Sequence, residues 1–233
     1  MSNKLYLIPT TLGNSGLKSV LPDNITNIVK SINVFIVENI RTARRYLKKL
    51  DKDIVIDDLT FYVLNKHTNY NDFDSFLDKI NESDIGIISE SGCPAVADPG
   101  SDIVSIAHKK NIRVVPLVGP SSILLSLMAS GFSGQNFAFN GYLPVKPSER
   151  QNKLVELERS VFKQNQTQIF IETPYRNNQM LNDILKTCSN NLKVCVACNL
   201  TLDDEFIISK PVSFWKKNNI DLNKKFVIFL LGK

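Results

Sequence analysis

The sequence predicts an α/β protein of two domains, residues 1–117 and 118–233, the first on a mostly parallel sheet and the second on a mixed one. Three observations carry this. In the first half, short apolar runs (Leu5–Ile8, Val34–Val37, Ile85–Ile88) alternate with stretches of helical periodicity, the pattern of parallel strands covered on both faces. After Gly131 the rhythm shifts to more strands per helix, which suits a mixed sheet. Between the halves, Pro116–Ser122 holds the turn formers that mark a boundary.

Taken in order, Leu5–Ile8 is a buried strand closed by Pro9, and the loop Pro9–Gly16 follows. Asp23 or Asn24 caps a helix through Ile32. Val34–Val37 is the second strand and ends at Glu38-Asn39; Arg41–Leu50 is a helix carrying Arg41, Arg44, Arg45, Lys48 and Lys49. Ile54–Ile56 is expected as a third strand and Asn71–Ile80 as a helix. Ile85–Ile88 leads into the long loop Ser89–Ser101, then a helical pattern through Ile103 and Ala107, then a strand over Arg113–Val118. The helix Ile123–Ser130 is apolar nearly all round and so is expected to be buried. Beyond it Asn136–Phe139, Gln168–Glu172, Lys193–Cys198, Phe206–Ser209 and Phe226–Leu231 read as strands. Helices cover Ser148–Phe162 and Tyr175–Cys188, with a short one around Trp215.

At 233 residues, 43% hydrophobic and 22% charged, the chain has the composition of an ordinary globular protein. A net charge of +5 permits an anionic partner without demanding one. No apolar run approaches the roughly 20 residues of a membrane helix, and Leu5–Ile8 is too short for a signal peptide. The expected location is the cytoplasm, with no membrane partner. There the four cysteines, Cys93, Cys188, Cys195 and Cys198, are expected as reduced thiols. Cys195 and Cys198 have zinc or redox spacing, but they sit in an apolar run with no second pair or nearby histidine, so a buried strand is the expectation and no metal site. His67 and His108 read as surface or cap residues.

The loop Ser89–Ser101 (Ser-Glu-Ser-Gly-Cys-Pro-Ala-Val-Ala-Asp-Pro-Gly-Ser) is the stretch with the most functional character. Small residues let its backbone turn sharply and leave its amides uncovered. Open parallel sheets bind ligands at such loops, off the carboxyl ends of their strands; an ordinary strand-to-helix connection is the other reading. No Gly-Lys-Ser/Thr closes it and no Gly-x-Gly-x-x-Gly opens it, so a phosphate cradle is not indicated.

Six motifs in sequence order then resemble one family: Pro9–Asn14 (Pro-Thr-Thr-Leu-Gly-Asn), Glu38–Thr42 (Glu-Asn-Ile-Arg-Thr), Ser89–Gly100, Val118–Ser122 (Val-Gly-Pro-Ser-Ser), Phe139–Pro144 (Phe-Asn-Gly-Tyr-Leu-Pro) and Glu172–Arg176 (Glu-Thr-Pro-Tyr-Arg). The chain resembles the tetrapyrrole methylases over nearly its whole length, and most closely their branch that methylates a ribose 2′-hydroxyl in bacterial small-subunit ribosomal RNA. The resemblance implies S-adenosyl-L-methionine in a cleft between two α/β domains, and a homodimer. Carried over by motif, Pro9 and Leu12 flank the cofactor, and Gly92, Cys93 and Val96 contact it largely through backbone. Ser122 and Ile123 hold its polar end, while Ile171 and Asn199 approach the adenine. Three motifs depart from the branch: it has Glu-Asp-Thr-Arg where Glu38–Arg41 stands, Ser-Asp-Ala-Gly-Thr-Pro for Ser89–Pro94, and Ser-Pro-His-Arg for Thr173–Arg176.

Methyl transfer to a ribose hydroxyl needs positioning and benefits from a general base. Glu38, Glu90 and Glu172 are candidates, with Arg41 and Arg176 to orient an acceptor; a structural ion pair or helix cap is the competing role for each. Glu38 and Arg41 stand first, because they close a first-domain strand in a signature loop. The basic helix Arg41–Lys49 is the natural RNA footprint, against a merely solvated face. An anionic tetrapyrrole or other small-molecule acceptor, and an inactive cofactor-binding module, are the alternative functions.

Overall fold

The computed structural model describes residues 3–64, 68 and 73–233. It divides into two compact units, Met1–Ser121 and Ser122–Lys233. His67 and the first residues of the helix expected at Asn71 lie outside the described residues.

In the first unit, β1 (Lys4–Ile8), β2 (Val34–Val37), β3 (Thr60–Val63), β4 (Ile85–Ile88) and β5 (Arg113–Pro116) form a sheet in the order β3-β2-β4-β1-β5. Every pairing in it is parallel. The central strands β2 and β4 are buried at every residue, as strands covered on both faces must be. Side chains alternate across the pleat, so Ile85 and Ile87 join one apolar cluster with Leu5, Ile36 and Ile103, while Ile88 joins the opposite one with Ile8, Phe35 and Leu47. Ile8, Ile88 and Val37 are in register across β1, β4 and β2. The loops leaving these strands therefore start from one level at the same edge of the sheet.

The helices of this unit are α1 (Leu17–Val20), α2 (Asn24–Lys30), α3 (Ile40–Leu50), α4 (Phe73–Phe76) and α5 (Gly100–Lys109). Asn39 caps α3, its Oδ1 accepting from the amides of Arg41 at 2.9 Å and Thr42 at 3.4 Å, which satisfies two of the donors a helix start leaves open. His108 is exposed in the last turn of α5, near the negative end of the helix. Two expectations are corrected: the helix expected to run to Ile80 is α-helical, among the described residues, only over Phe73–Phe76 and gives way to a 3-10 turn at Asp78–Asn81, and Ile54–Ile56 is not a strand. It runs into a 3-10 turn, Ile56–Asp58, and the third strand is Thr60–Val63. Asp57 and Asp58 favour the turn over a ladder, and the β-branched and aromatic Thr-Phe-Tyr-Val run that follows makes the edge strand.

The second unit holds α6 (Ser122–Ser130), β6 (Phe137–Tyr142), α7 (Pro147–Gln164), β7 (Thr167–Ile171), α8 (Asn177–Thr187), β8 (Lys193–Cys198), β9 (Phe206–Pro211), α9 (Val212–Trp215) and β10 (Val227–Gly232). Its sheet runs β6-β7-β10-β8-β9, parallel between β6 and β7 and antiparallel elsewhere. Phe170 and Phe229 stack at its centre, 5.7 Å between ring centroids. Cys195 and Cys198 are three residues apart on β8, so their side chains leave opposite faces of the sheet and cannot close on one ion. Burial pushes both thiols up to about 11. The helix expected to be buried all round is not: Ser126, Leu127 and Ser130 are buried, while Met128 is 78% exposed. Only that narrow, small-residue face packs on the sheet, where Ser209 donates to the Ser130 carbonyl at 2.6 Å.

A buried ion pair ties the second unit together. Arg150 on α7 meets Asp183 on α8 at 2.6 Å, and both side chains are 5% exposed. The guanidinium also donates to the carbonyls of Pro144 at 3.1 Å and Val145 at 2.6 Å. Gln179 donates to the second oxygen of Asp183 at 2.9 Å.

Candidate active site

Adjacent pairing of β1 and β4 brings their following loops side by side. The amide of Thr10 donates to the carbonyl of Gly92 at 2.9 Å, and the buried hydroxyl of Ser89 donates to the same oxygen at 2.8 Å. Gly92 stands at φ +70, and a Cβ there would lie 3.1 Å from Leu12 and 3.2 Å from the Pro120 carbonyl. Only glycine takes that backbone without strain. The β5 loop is equally close: a Cβ on Gly119 would lie 2.3 Å from the ring of Pro9. The Cys93 thiol points at the Pro120 carbonyl, 3.5 Å away, and burial raises its pKa. Pro9, Leu12, Gly92 and Cys93 thus gather in one place within the first unit. Val96 stands outside that knot, 48% exposed on the same loop.

The loop keeps its shape through Asp98. Its Oδ1 accepts from the amides of Ala95 at 2.8 Å and Gly100 at 2.7 Å. Ala95 and Ala97 take left-handed φ values of +64 and +60, a conformation that costs an alanine about 1–2 kcal/mol. Such strain concentrates at ligand-binding segments. Asp98 was not among the sequence candidates; an Asp two residues before a Gly is the Asx-turn signal that marks it.

Glu38, at the end of β2, is half-buried, and its Oε1 accepts from the Glu90 amide at 3.4 Å. Desolvation raises its pKa, and the charges of Asp98 and Glu90 raise it further. Arg41 is exposed in the first turn of α3 and forms no ion pair with Glu38 or with any other described residue. Glu90 is exposed and accepts from the Thr42 hydroxyl.

In the second unit, Ser122 and Ile123 open α6, half-buried both, and Ile171 closes β7 opposite Tyr142 and Ile228. Asn199 is left-handed at φ +51, and its polar groups are nearly spent. Its side-chain carbonyl accepts from Phe226 N at 2.9 Å, its amide donates to Asp204 at 2.7 Å, and its backbone bonds Phe226 and Leu202. What it has left to offer a ligand is one side-chain N–H and its backbone surface. Glu172 is buried in an ion pair with Arg176 at 2.6 Å and accepts from the Thr173 amide. That is the structural role, i to i+4 beside a helix start, so neither residue is a free acid–base or acceptor-binding group.

No family model matches the chain. Among solved structures the fold is that of the methyltransferase CobJ, at TM-score 0.66 and 14% identity over 100% of this chain and 95% of that one. It is also that of uroporphyrin-III C-methyl transferase from Thermus thermophilus, solved with S-adenosyl homocysteine, at TM-score 0.58 and 14% identity over 99% and 98%. The architecture is the two-domain fold of the tetrapyrrole methylases. By sequence, ribosomal RNA small subunit methyltransferase I of Vibrio cholerae is 30% identical over 210 residues, 90% of this chain and 69% of that protein. The protein of that name from Buchnera aphidicola subsp. Schizaphis graminum is 28% identical over 97% of this chain and 77% of its own. The chain belongs to the ribosomal RNA small subunit methyltransferase I family of methyltransferases.

Proposed function

We propose that the chain transfers a methyl group from S-adenosyl-L-methionine to a ribose 2′-hydroxyl of small-subunit ribosomal RNA, acting as a homodimer in the cytoplasm. The observation that carries the cofactor assignment is the Gly92 cradle: a left-handed glycine held by Thr10 and Ser89, where a Cβ would fill the space. Its surroundings suit a sulfonium, ribose and adenine, which ask for backbone and apolar walls. Pro9, Leu12, Gly92 and Cys93 supply that wall within the first unit, with Val96 further along the same loop; Ser122, Ile123, Ile171 and Asn199 are proposed as cofactor contacts on their motifs alone. The RNA assignment follows the named relatives. No described helix is long and apolar enough to cross a membrane.

When bound, the cofactor supplies a methyl group already activated on sulfur. The protein has to place the acceptor oxygen in line and take its proton. Glu38 is the base in this reading, half-buried and held by the Glu90 amide. Arg41, with no competing ion pair, orients an adjoining phosphate.

Binding of S-adenosylhomocysteine near one to one is expected by calorimetry, with labelled methyl passing to ribosomal RNA and not to uroporphyrinogen. Tight NAD or ATP binding with none for the homocysteine product would sink the cofactor assignment, and label in the tetrapyrrole would move the acceptor. Sedimentation tests the homodimer separately.

The raised pKa of Glu38 gives a second test. A carboxyl with a higher pKa folded than unfolded binds more protons when folded, so its contribution to stability is present at low pH and is lost as pH rises through the folded value. Glu38→Gln should therefore be no less stable than wild type at neutral pH. The same change should lower transfer by about 10²–10⁴-fold and remove the acid limb of the pH–rate profile. An intact acid limb would assign the proton elsewhere.

A further inference from the structure

Beside the loops, on the α3 side, lies a cavity of about 150 Å³ walled by Thr10, Thr42, Arg45, Tyr46, Lys49 and Glu90 among others. A cavity of roughly this size accepts a benzene ring, so this one has room for a single ribose ring or phosphate ester. Ala43 and Ile88 give it apolar wall, and a few polar groups converge on it. Thr10 is 5% exposed, and its Oγ1 is buried with no hydrogen-bond partner among the described residues. A buried hydroxyl left in that state costs about 1–3 kcal/mol, which a ligand in the cavity offsets.

Two cations reach the same space. The Arg45 side chain has neither an ion pair nor a hydrogen bond among the described residues. Lys49 gives one N–H to the Ser15 carbonyl at 3.0 Å, which leaves two donors on its ammonium group. The one carboxylate on the wall, Glu90, already accepts from the Thr42 hydroxyl. The one aromatic, Tyr46, donates its hydroxyl to the Pro9 carbonyl at 2.6 Å. A base-recognition pocket clamps its base on aromatic faces; one unpartnered hydroxyl and two cations instead match a sugar and its phosphate.

We propose that this cavity is the sugar–phosphate subsite for the RNA strand that carries the acceptor ribose, an inference that rests on the RNA methyltransferase reading. Arg45 and Lys49 take the phosphate, and the Thr10 hydroxyl bonds the sugar. The basic helix is therefore not one uniform footprint. Arg44 lies over the Phe61 ring, 5.5 Å from its centroid, and does not line the cavity. It has the same charge on the same helix, on another face, and serves as the internal control.

The test is filter binding of purified small-subunit ribosomal RNA over a salt titration, using full-length wild type, Arg45→Ala/Lys49→Ala, Thr10→Val and Arg44→Ala. Affinity for S-adenosylhomocysteine is measured on each in parallel. The double variant should lose about one unit of salt slope, for the one phosphate it no longer neutralises, while Arg44→Ala keeps the wild-type slope. Thr10→Val exchanges an unpaired hydroxyl for a methyl group, so it should melt no lower than wild type and still bind RNA several-fold more weakly. Equal slopes for the Arg44 and Arg45/Lys49 variants, or unchanged RNA affinity for Thr10→Val, would overturn the subsite. Labelled-methyl transfer by wild type separates the two levels. Transfer with unaffected variants removes only the subsite, whereas no transfer to RNA from wild type removes the reading beneath it.

Discussion

Gly92→Val is expected to yield a folded chain that no longer binds S-adenosylhomocysteine. Two penalties coincide at this position. The backbone is at φ +70, where a β-branched residue is strained, and the new Cβ would press on Leu12 at 3.1 Å and the Pro120 carbonyl at 3.2 Å. The loop must shift to relieve both, and the carbonyl that Thr10 and Ser89 hold shifts with it. Strain of this kind costs stability about 1–3 kcal/mol, while the affinity loss should reach at least about a hundredfold, or ~2.7 kcal/mol. Gly131→Val separates the two effects. Gly131 has φ +74 with nothing within 4 Å of its Cβ position, so it bears the backbone strain without the collision. Calorimetry should find cofactor affinity lost in the first variant and kept in the second, with circular dichroism near wild type in both. Unchanged affinity in Gly92→Val would mean that the loop is not the site.

The largest loss of stability is expected from Asp183→Ala. Its partner Arg150 is buried, so removing the carboxylate strands a cation that water cannot reach. Breaking such a pair from one side costs about 3–5 kcal/mol, and at this size that lowers Tm by on the order of 10 °C. Replacing both partners, as Arg150→Met/Asp183→Leu, should recover most of the loss, because the penalty comes from the unpaired charge. The Pro144 and Val145 carbonyls lose their donor in that variant, but the chain there is exposed at Val145 and water can replace it. A double variant as unstable as Asp183→Ala would place the stabilisation in packing and not in the charge pair.

The elements that the sequence shows most plainly are those where one local signal decides. Lys193–Cys198 reads as a strand on its apolar residues Val194–Cys198 and forms β8 over those same bounds. Helix α3 announces itself through Asn39 before a periodic run. Thr60–Val63 and Ile54–Ile56 are equally short apolar runs, and sequence alone does not say which joins the sheet: the first makes the edge strand, while the second leads into the turn Ile56–Asp58. The same division holds at the candidate site. The Gly/Pro loops are visible in the sequence because their composition is the signal. The orphan hydroxyl of Thr10, the clasp by Asp98 and the left-handed alanines are not, since each depends on which residues meet in space. Glu172 and Arg176 lie between these cases: their i, i+4 spacing permits the ion pair, and only the 2.6 Å geometry with a buried carboxylate shows that it forms.

The strand order of the first unit also sets a timetable for synthesis. β1 is the earliest strand made, yet its partners are β4 and β5, with Leu5 paired to Ile85. At about 5–20 residues per second, β1 spends roughly 4–16 s outside any native ladder before β4 exists. β2 and β3 can pair before β4 exists, but β1 joins the sheet only through β4 and β5, and such non-local pairing folds slowly. Leu5 and Ile8, fully buried in the finished protein, therefore wait longer for their ladder partners than any other strand residues of this unit.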